Sequence, residues 1–300
     1  MKNKKSRAFS LVEISISILV IAILSSGIYI ISYDLYRDYQ VYIAGKLTKD
    51  SPVNRIESLS LWIDFSNPYN YLDHKNKFPS NDYSYIGRLA DQNPLSTDPF
   101  FTLGIAFNRT GINGLSCNWV NGWGGGNIYS SEPNKPFSNF ISYRGYTYFL
   151  VSYIDDPDRH GGSVFDFHTR DKTNPYSIYF GYFQNGGNLV FNSSALSVSR
   201  VPKKPFIFSY VLDQDRKILS ARYNRGSDFV KNNYQDDALK SADLSNIPVI
   251  RHVHSDAIGQ HWGQFCLGEL IMFSEPLSNT QITNIERYLA KKWNIVLENP

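Results

Sequence analysis

The chain has 300 residues, 42% hydrophobic and 19% charged, a balance that supports a buried core and excludes a disordered polypeptide. The formal net charge is only +3, and part of it sits in the first seven residues, so no basic stripe points to a nucleic-acid partner. Tyr 21 and Phe 19 stand against Met 2, which favours strands over helices. Two cysteines, Cys117 and Cys266, are too few for a disulfide scaffold. In an oxidising compartment they could pair, and their separation in sequence leaves that open.

In chain order, Lys2, Lys4, Lys5 and Arg7 precede an apolar run from Phe9 to Ile31, 23 residues with one charge, Glu13. As a helix the run spans roughly 35 Å, enough for a bilayer core. The basic flank stays cytoplasmic and the remainder crosses the membrane. A plain signal anchor competes with this reading, as does a secretory signal peptide cut near Ser25-Ser26-Gly27. Glu13 separates the readings. A carboxylate at the bilayer centre costs on the order of 2.5–3.5 kcal/mol, and an intramembrane acid implies a partner that neither alternative supplies.

The segment Arg7-Ala8-Phe9-Ser10-Leu11-Val12-Glu13 resembles the prepilin cleavage motif of type IV pilins and type II secretion pseudopilins. The resemblance implies a leader over residues 1–8, cleaved between Ala8 and Phe9 by a prepilin peptidase. It also implies N-methylation of Phe9 and pairing of Glu13, the fifth mature residue, with the N-terminal amine of a neighbouring subunit. Ala8 stands where the family usually has Gly, another small residue.

Beyond the run, Leu35, Tyr39, Tyr42 or Ile43, and Leu47 recur at helical spacing, with Asp34, Arg37, Asp38, Gln40, Lys46 and Lys49 on other faces. Ser51-Pro52 ends the helix, because proline breaks the hydrogen-bond ladder and restricts the residue before it. The transmembrane and amphipathic helix is therefore expected over 9–50, roughly 60 Å long.

Residues 53–300 show no internal repeat. Short apolar or aromatic runs alternate with Gly, Asn, Asp and Pro: Thr147–Tyr153, Ser177–Phe183, Asn188–Phe191, Phe206–Leu212 and Leu267–Phe273. Asn185-Gly186-Gly187-Asn188 reads as a hairpin turn. Near the end, Ser278 caps a helix from about Thr280 to Lys292, with Ile282, Ile285, Leu289 and Trp293 on one face. Leu267-Gly268-Glu269-Leu270-Ile271-Met272-Phe273 and Tyr288-Leu289-Ala290-Lys291-Lys292-Trp293 resemble the C-terminal signature of bacterial laminin G-like, concanavalin A-like lectin/glucanase domains. Leu61-Trp62-Ile63-Asp64 resembles their opening strand. The resemblance implies a jelly-roll-like sandwich of two antiparallel sheets whose first and last strands lie close together, and a structural role for Glu269. The expected fold is thus mainly β: a long N-terminal transmembrane α-helix, an antiparallel jelly-roll-like β-sandwich over 53–300, and a short C-terminal helix.

Candidate sites in this sandwich are few. Trp119, Asn121 and Trp123, in a glycine-rich loop, combine aromatic faces with an amide, as a sugar site needs; core-capping tryptophans are the plainer reading. Asp155, Asp156 and Asp158 form an acidic loop of the kind that takes calcium, or a solvated turn. His252, His254 and Asp256 recur at period two, with His261 following, a set that zinc could use; solvated histidines on an exposed strand are commoner. Neither Glu-x-Asp-x-x-Glu nor Gly-x-Ser-x-Gly occurs, so no enzyme is expected. The expected product is a minor pilin or pseudopilin-like subunit with a lectin-like domain. It sits in the inner membrane with that domain periplasmic, then in a pilus or secretion pseudopilus. Its partners are other pilin subunits, the prepilin peptidase and a carbohydrate or other surface ligand. A membrane-anchored glycan-binding module outside any filament, or a glycan-active enzyme, is the alternative.

Overall fold

The computed structural model describes residues 11–67, 71–73, 86–89, 92, 100–103, 106–120, 126–130, 141–154, 162–169, 177–183, 188–191, 196–200, 203–224, 227–241, 249–253 and 265–298. Two compact units result, Met1–Tyr42 and Ile43–Pro300. The helix α1, Leu11–Lys49, begins in the first and ends in the second. In the first unit its apolar side chains are exposed, among them Ile16, Leu19, Ile23, Leu24, Ile28 and Ile31. Among the described residues no helix is long and apolar enough to cross a membrane. The described side chains of α1 begin at Ser15, inside the sequence run that starts at Phe9.

The second unit opens with the last turns of α1. A 3-10 turn follows at Pro52–Arg55, where Ser51 Oγ accepts from the Val53 N–H. Seventeen strands follow among the described residues. They are β1 Leu59–Asp64, β2 Tyr71–Asp73, β3 Ile86–Leu89, β4 Phe100–Leu103, β5 Ala106–Ile112, β6 Leu115–Val120, β7 Gly126–Ser130, β8 Gly145–Ile154 and β9 Gly162–Thr169. Then come β10 Ser177–Phe183, β11 Asn188–Phe191, β12 Leu196–Arg200, β13 Phe206–Asp213, β14 Ile218–Tyr223, β15 Ser227–Asn232, β16 Val249–Val253 and β17 Phe265–Phe273. Helix α2, Asp237–Ser241, precedes β16, and α3, Asn279–Trp293, follows β17.

The strands form two sheets, antiparallel throughout the described pairings. One runs β15-β14-β13-β8-β17-β6-β5, with β1 also on β17; the other runs β12-β11-β10-β9-β16-β7-β4-β3-β2. The first and last strands pair as expected, Leu59 with Phe273 through Asp64 with Glu269. On one edge, β17 meets β6 over Phe265–Leu267 and β1 over Glu269–Phe273.

Alternation gives the eight-stranded sheet two buried faces. One carries Phe149, Val151, Ile207, Ile271 and Phe273 and is covered by α3. Ile282, Ile285, Leu289 and Trp293, the helix face expected from spacing, are all buried there. A capping box starts α3: Ser278 Oγ accepts from the Gln281 N–H, and Gln281 Oε1 accepts from the Ser278 N–H at 3.0 Å. Asn294, left-handed at φ 50°, ends it. The Asn113 amide, in the turn between β5 and β6, donates to the carbonyls of Trp293 and Asn294 at 2.8 and 3.0 Å. The other face holds Tyr146, Tyr148, Leu150, Phe208, Tyr210 and Leu212, all buried.

Candidate functional site

Beneath α3 lies the densest polar cluster among the described side chains. Its parts come from four elements. Thr48 sits in the last turn of α1, Trp62 and Asp64 are two apart on β1, Glu269 is opposite Asp64 on β17, and Tyr288, Lys292 and Trp293 come from α3. Lys292 Nζ lies 2.7 Å from Asp64 Oδ2 and 2.9 Å from Glu269 Oε2. Glu269 also accepts from both indoles, Trp62 Nε1 at 2.7 Å and Trp293 Nε1 at 2.6 Å, and from the Tyr288 hydroxyl at 3.2 Å. Asp64 accepts from the Ser66 N–H at 2.9 Å and from Thr48 Oγ1 at 3.3 Å.

Burial alone would lower the Lys292 ammonium, but the two carboxylates beside it outweigh that and hold its pKa raised. Burial, joined by the Asp64 charge, pushes Glu269 up, opposed by Lys292 and the Trp293 indole. Burial, joined by the Glu269 charge, raises the Tyr288 hydroxyl. The Asp64, Glu269 and Lys292 side chains are at most 1% exposed. A sealed carboxylate pair with every oxygen engaged offers no path to a substrate. Its effect is to fasten α1, β1, β17 and α3 together. The family resemblance implied a structural role for Glu269, yet it did not disclose Lys292 as its partner, 23 residues on.

A second buried ion pair fixes α3 to the sheet. Arg222 reaches Glu286 through two bonds, Nε to Oε1 at 2.6 Å and Nη2 to Oε2 at 2.8 Å, while the Ser209 hydroxyl donates to Oε1 at 2.7 Å. Beside it a cavity of about 160 Å³ is lined by Ser209, Val211, Ser220, Arg222, Val230 and Ile282. That is below the roughly 300 Å³ at which ligand pockets begin. On the opposite face Tyr146, Tyr148 and Tyr210 stack, with centroids 5.6 Å apart for Tyr146 and Tyr210 and 4.8 Å for Tyr148 and Tyr210. Burial pushes the Tyr148 and Tyr210 hydroxyls well above the usual range, so they remain neutral.

The cysteines are paired. Cys117 on β6 and Cys266 on β17 form a fully buried disulfide where β17 passes from β6 to β1. A Cβ on Gly111 would collide with both sulfurs, so glycine is required at that point of β5.

The expected binding residues fall largely outside the described residues: Ala8, Phe9, Asn121, Trp123, Asp155, Asp156 and Asp158, with His254, Asp256 and His261. The Glu13 backbone lies in the first turn of α1, and its side chain is outside the described set. Trp119 lies on β6 with its backbone opposite Cys266 of β17 and Ala106 of β5. His252 lies on β16, opposite Asn127 of β7. Among the side chains described, no group of three or more His, Cys, Asp or Glu could hold a metal ion.

The family model for the prokaryotic N-terminal methylation motif matches residues 3–29, which span the basic flank, Glu13 and most of the apolar run. The chain carries a type IV pilin-type methylation motif. No curated protein matches the sequence. Solved structures resemble this chain in fold. Trypanosoma rangeli sialidase aligns with a TM-score of 0.50 at 9% identity, over 86% of this chain and 39% of that one. The same enzyme in complex with sialic acid gives 0.50 at 10%, over 81% and 34%. A botulinum neurotoxin type C chain, whose cell entry depends on two ganglioside molecules, gives 0.50 at 13%, over 78% and 52%. The chain thus spans about a third of the sialidase and about half of the toxin chain. At such identities the likeness establishes the fold, and it agrees with a concanavalin A-like β-sandwich.

Proposed function

We propose that the chain is a minor pilin or pseudopilin-like subunit of a type IV filament or type II secretion system, presenting a lectin-like domain for adhesion or ligand recognition. The observation that carries this is the methylation motif over residues 3–29 running directly into a 39-residue helix that ends in a β-rich unit. The full apolar run from Phe9 to Ile31 inserts in the inner membrane, with the basic leader cytoplasmic and the sandwich periplasmic. The buried disulfide supports that placement, since such bonds persist in oxidising compartments. Peptidase cleavage after Ala8 frees Phe9, which is methylated. Glu13 then meets a neighbour's N-terminal amine, the partner a carboxylate in lipid requires. A head of about 250 residues crowds a tight filament, which favours a minor or tip position.

We read the head as a binding module, not a catalyst. Sialidase, a glycan-acting enzyme, and a ganglioside-dependent toxin share its fold, and carbohydrate is the ligand class to test first. Turnover on a glycan panel, abolished by one acidic substitution, would refute the non-catalytic reading. For assembly, Glu13→Val discriminates between filament subunit and plain anchor. The variant should reach the membrane at wild-type abundance and be lost from sheared filaments by at least about tenfold. Equal recovery of variant and parent in that fraction would exclude the assembly role.

A further inference from the structure

The nine-stranded sheet places chemistry together that the linear sequence separates. His252 on β16 lies directly opposite Asp166 on β9, and Ile250 opposite His168. On the far side of β9, Asp166 is opposite Tyr179 and His168 opposite Ser177, both on β10. Residues paired across strands share a face, as do residues two apart on one strand. Asp166, His168 and His252 therefore occupy one face, with Ile250, Asn127, Tyr179 and Ser177. The alternate positions Phe165, Phe167, Ile178, Phe180 and Ile128 occupy the other face, where Arg251 is the charged exception. The alternation thus places the acid and both histidines together, on the face opposite most of the aromatic positions.

We propose that Asp166, His168 and His252, brought together by the β9–β16 register, form a binding site for a zinc-class divalent transition metal. Two imidazoles and one carboxylate are the donor set of three-ligand zinc sites and of the facial triad of other first-row metals. The placement suits them. Opposed positions have Cβ atoms about 4.5–5.5 Å apart, and positions two along a strand lie roughly 6.6–6.8 Å apart. With the His168–His252 diagonal at roughly 7–8 Å, the register brings the three positions together on one face. Asn127 and Tyr179 take the register positions flanking the His252–Asp166 pair, where the ligands of a metal site need orienting partners. With three protein donors, one coordination position remains open for water or another oxygen ligand.

The test uses the full chain purified in detergent, first stripped with chelator and then titrated with zinc, with cobalt as a spectroscopic substitute. The proposal expects one equivalent of zinc per chain and a cobalt ligand-field spectrum. Asp166→Ala, His168→Ala and His252→Ala should each weaken zinc binding by more than about 100-fold, beyond the 10–100-fold that losing an outer partner costs. Their metal-free melting curves and intact disulfide serve to show that they are folded. His254→Ala/His261→Ala should bind as the parent does. The proposal is overturned if folded parent chain binds no zinc, if the three variants bind it undiminished, or if only His254→Ala/His261→Ala loses it. Stabilisation by calcium alone, indifferent to all of these substitutions, would also overturn it.

Discussion

Lys292 shows how one side chain can hold four elements. Its ammonium sits between Asp64 and Glu269 with no exposure, and the carboxylates are in turn saturated by two indoles, a hydroxyl and a backbone N–H. Removing the cation leaves two buried negative charges with too few donors. Lys292→Met should therefore cost about 3–5 kcal/mol, read as a lower denaturation midpoint of the full chain in detergent. Adding Asp64→Asn and Glu269→Gln should restore part of the loss. An unchanged midpoint for Lys292→Met would mean the network contributes nothing net. At this scale the sequence was half legible. Resemblance implied a structural role for Glu269, spacing put Trp293 on the buried helix face, and Trp62 and Asp64 stood in the segment resembling the opening strand. Their meeting point at Lys292 was not legible, because a lysine near a helix end normally reads as a solvated charge. The tyrosine stack was equally hidden. Tyr146, Tyr148 and Tyr210 alternate along two strands that only tertiary pairing sets side by side.

Elements were more legible than their partners. The runs Ser177–Phe183 and Asn188–Phe191 coincide with β10 and β11, and Phe206–Leu212 falls one residue short of β13. Period-two alternation and flanking turn residues are local signals, so they survive in a single sequence. Register is not local. β17 makes its longest pairing with β8, across a gap of more than a hundred residues, and nothing in either segment announces it. The same holds for the disulfide, which closes 149 residues of sequence and pins the point where β17 changes partner. Cys117→Ser/Cys266→Ser should lower stability by roughly 2–5 kcal/mol, read from denaturant midpoints against the oxidised parent. The loss should be matched by reducing the parent once it is unfolded. A variant as stable as the parent would show that the strand switch is held by packing alone. Gly268, whose added Cβ would press on the Trp293 ring at 2.8 Å, marks the same crossing from the side of α3.

At the scale of the molecule, the methylation motif and the concanavalin A-like sandwich belong to separate compact units joined by one helix. The first unit presents an apolar helical surface. The second carries its own two-sheet core, its own ion pairs and its own disulfide. That division accounts for what could be read early. The expected anchor follows from composition and one misplaced acid, whereas the registers of the head are set by distant strands. The account stands first on processing at Ala8. The decisive measurement is intact mass with N-terminal sequencing of the protein from cells with and without a prepilin peptidase. A mature chain beginning at methylated Phe9, formed only when the peptidase is present, is the predicted result. A chain that keeps its leader in both strains, or one that begins near Gly27, would contradict it.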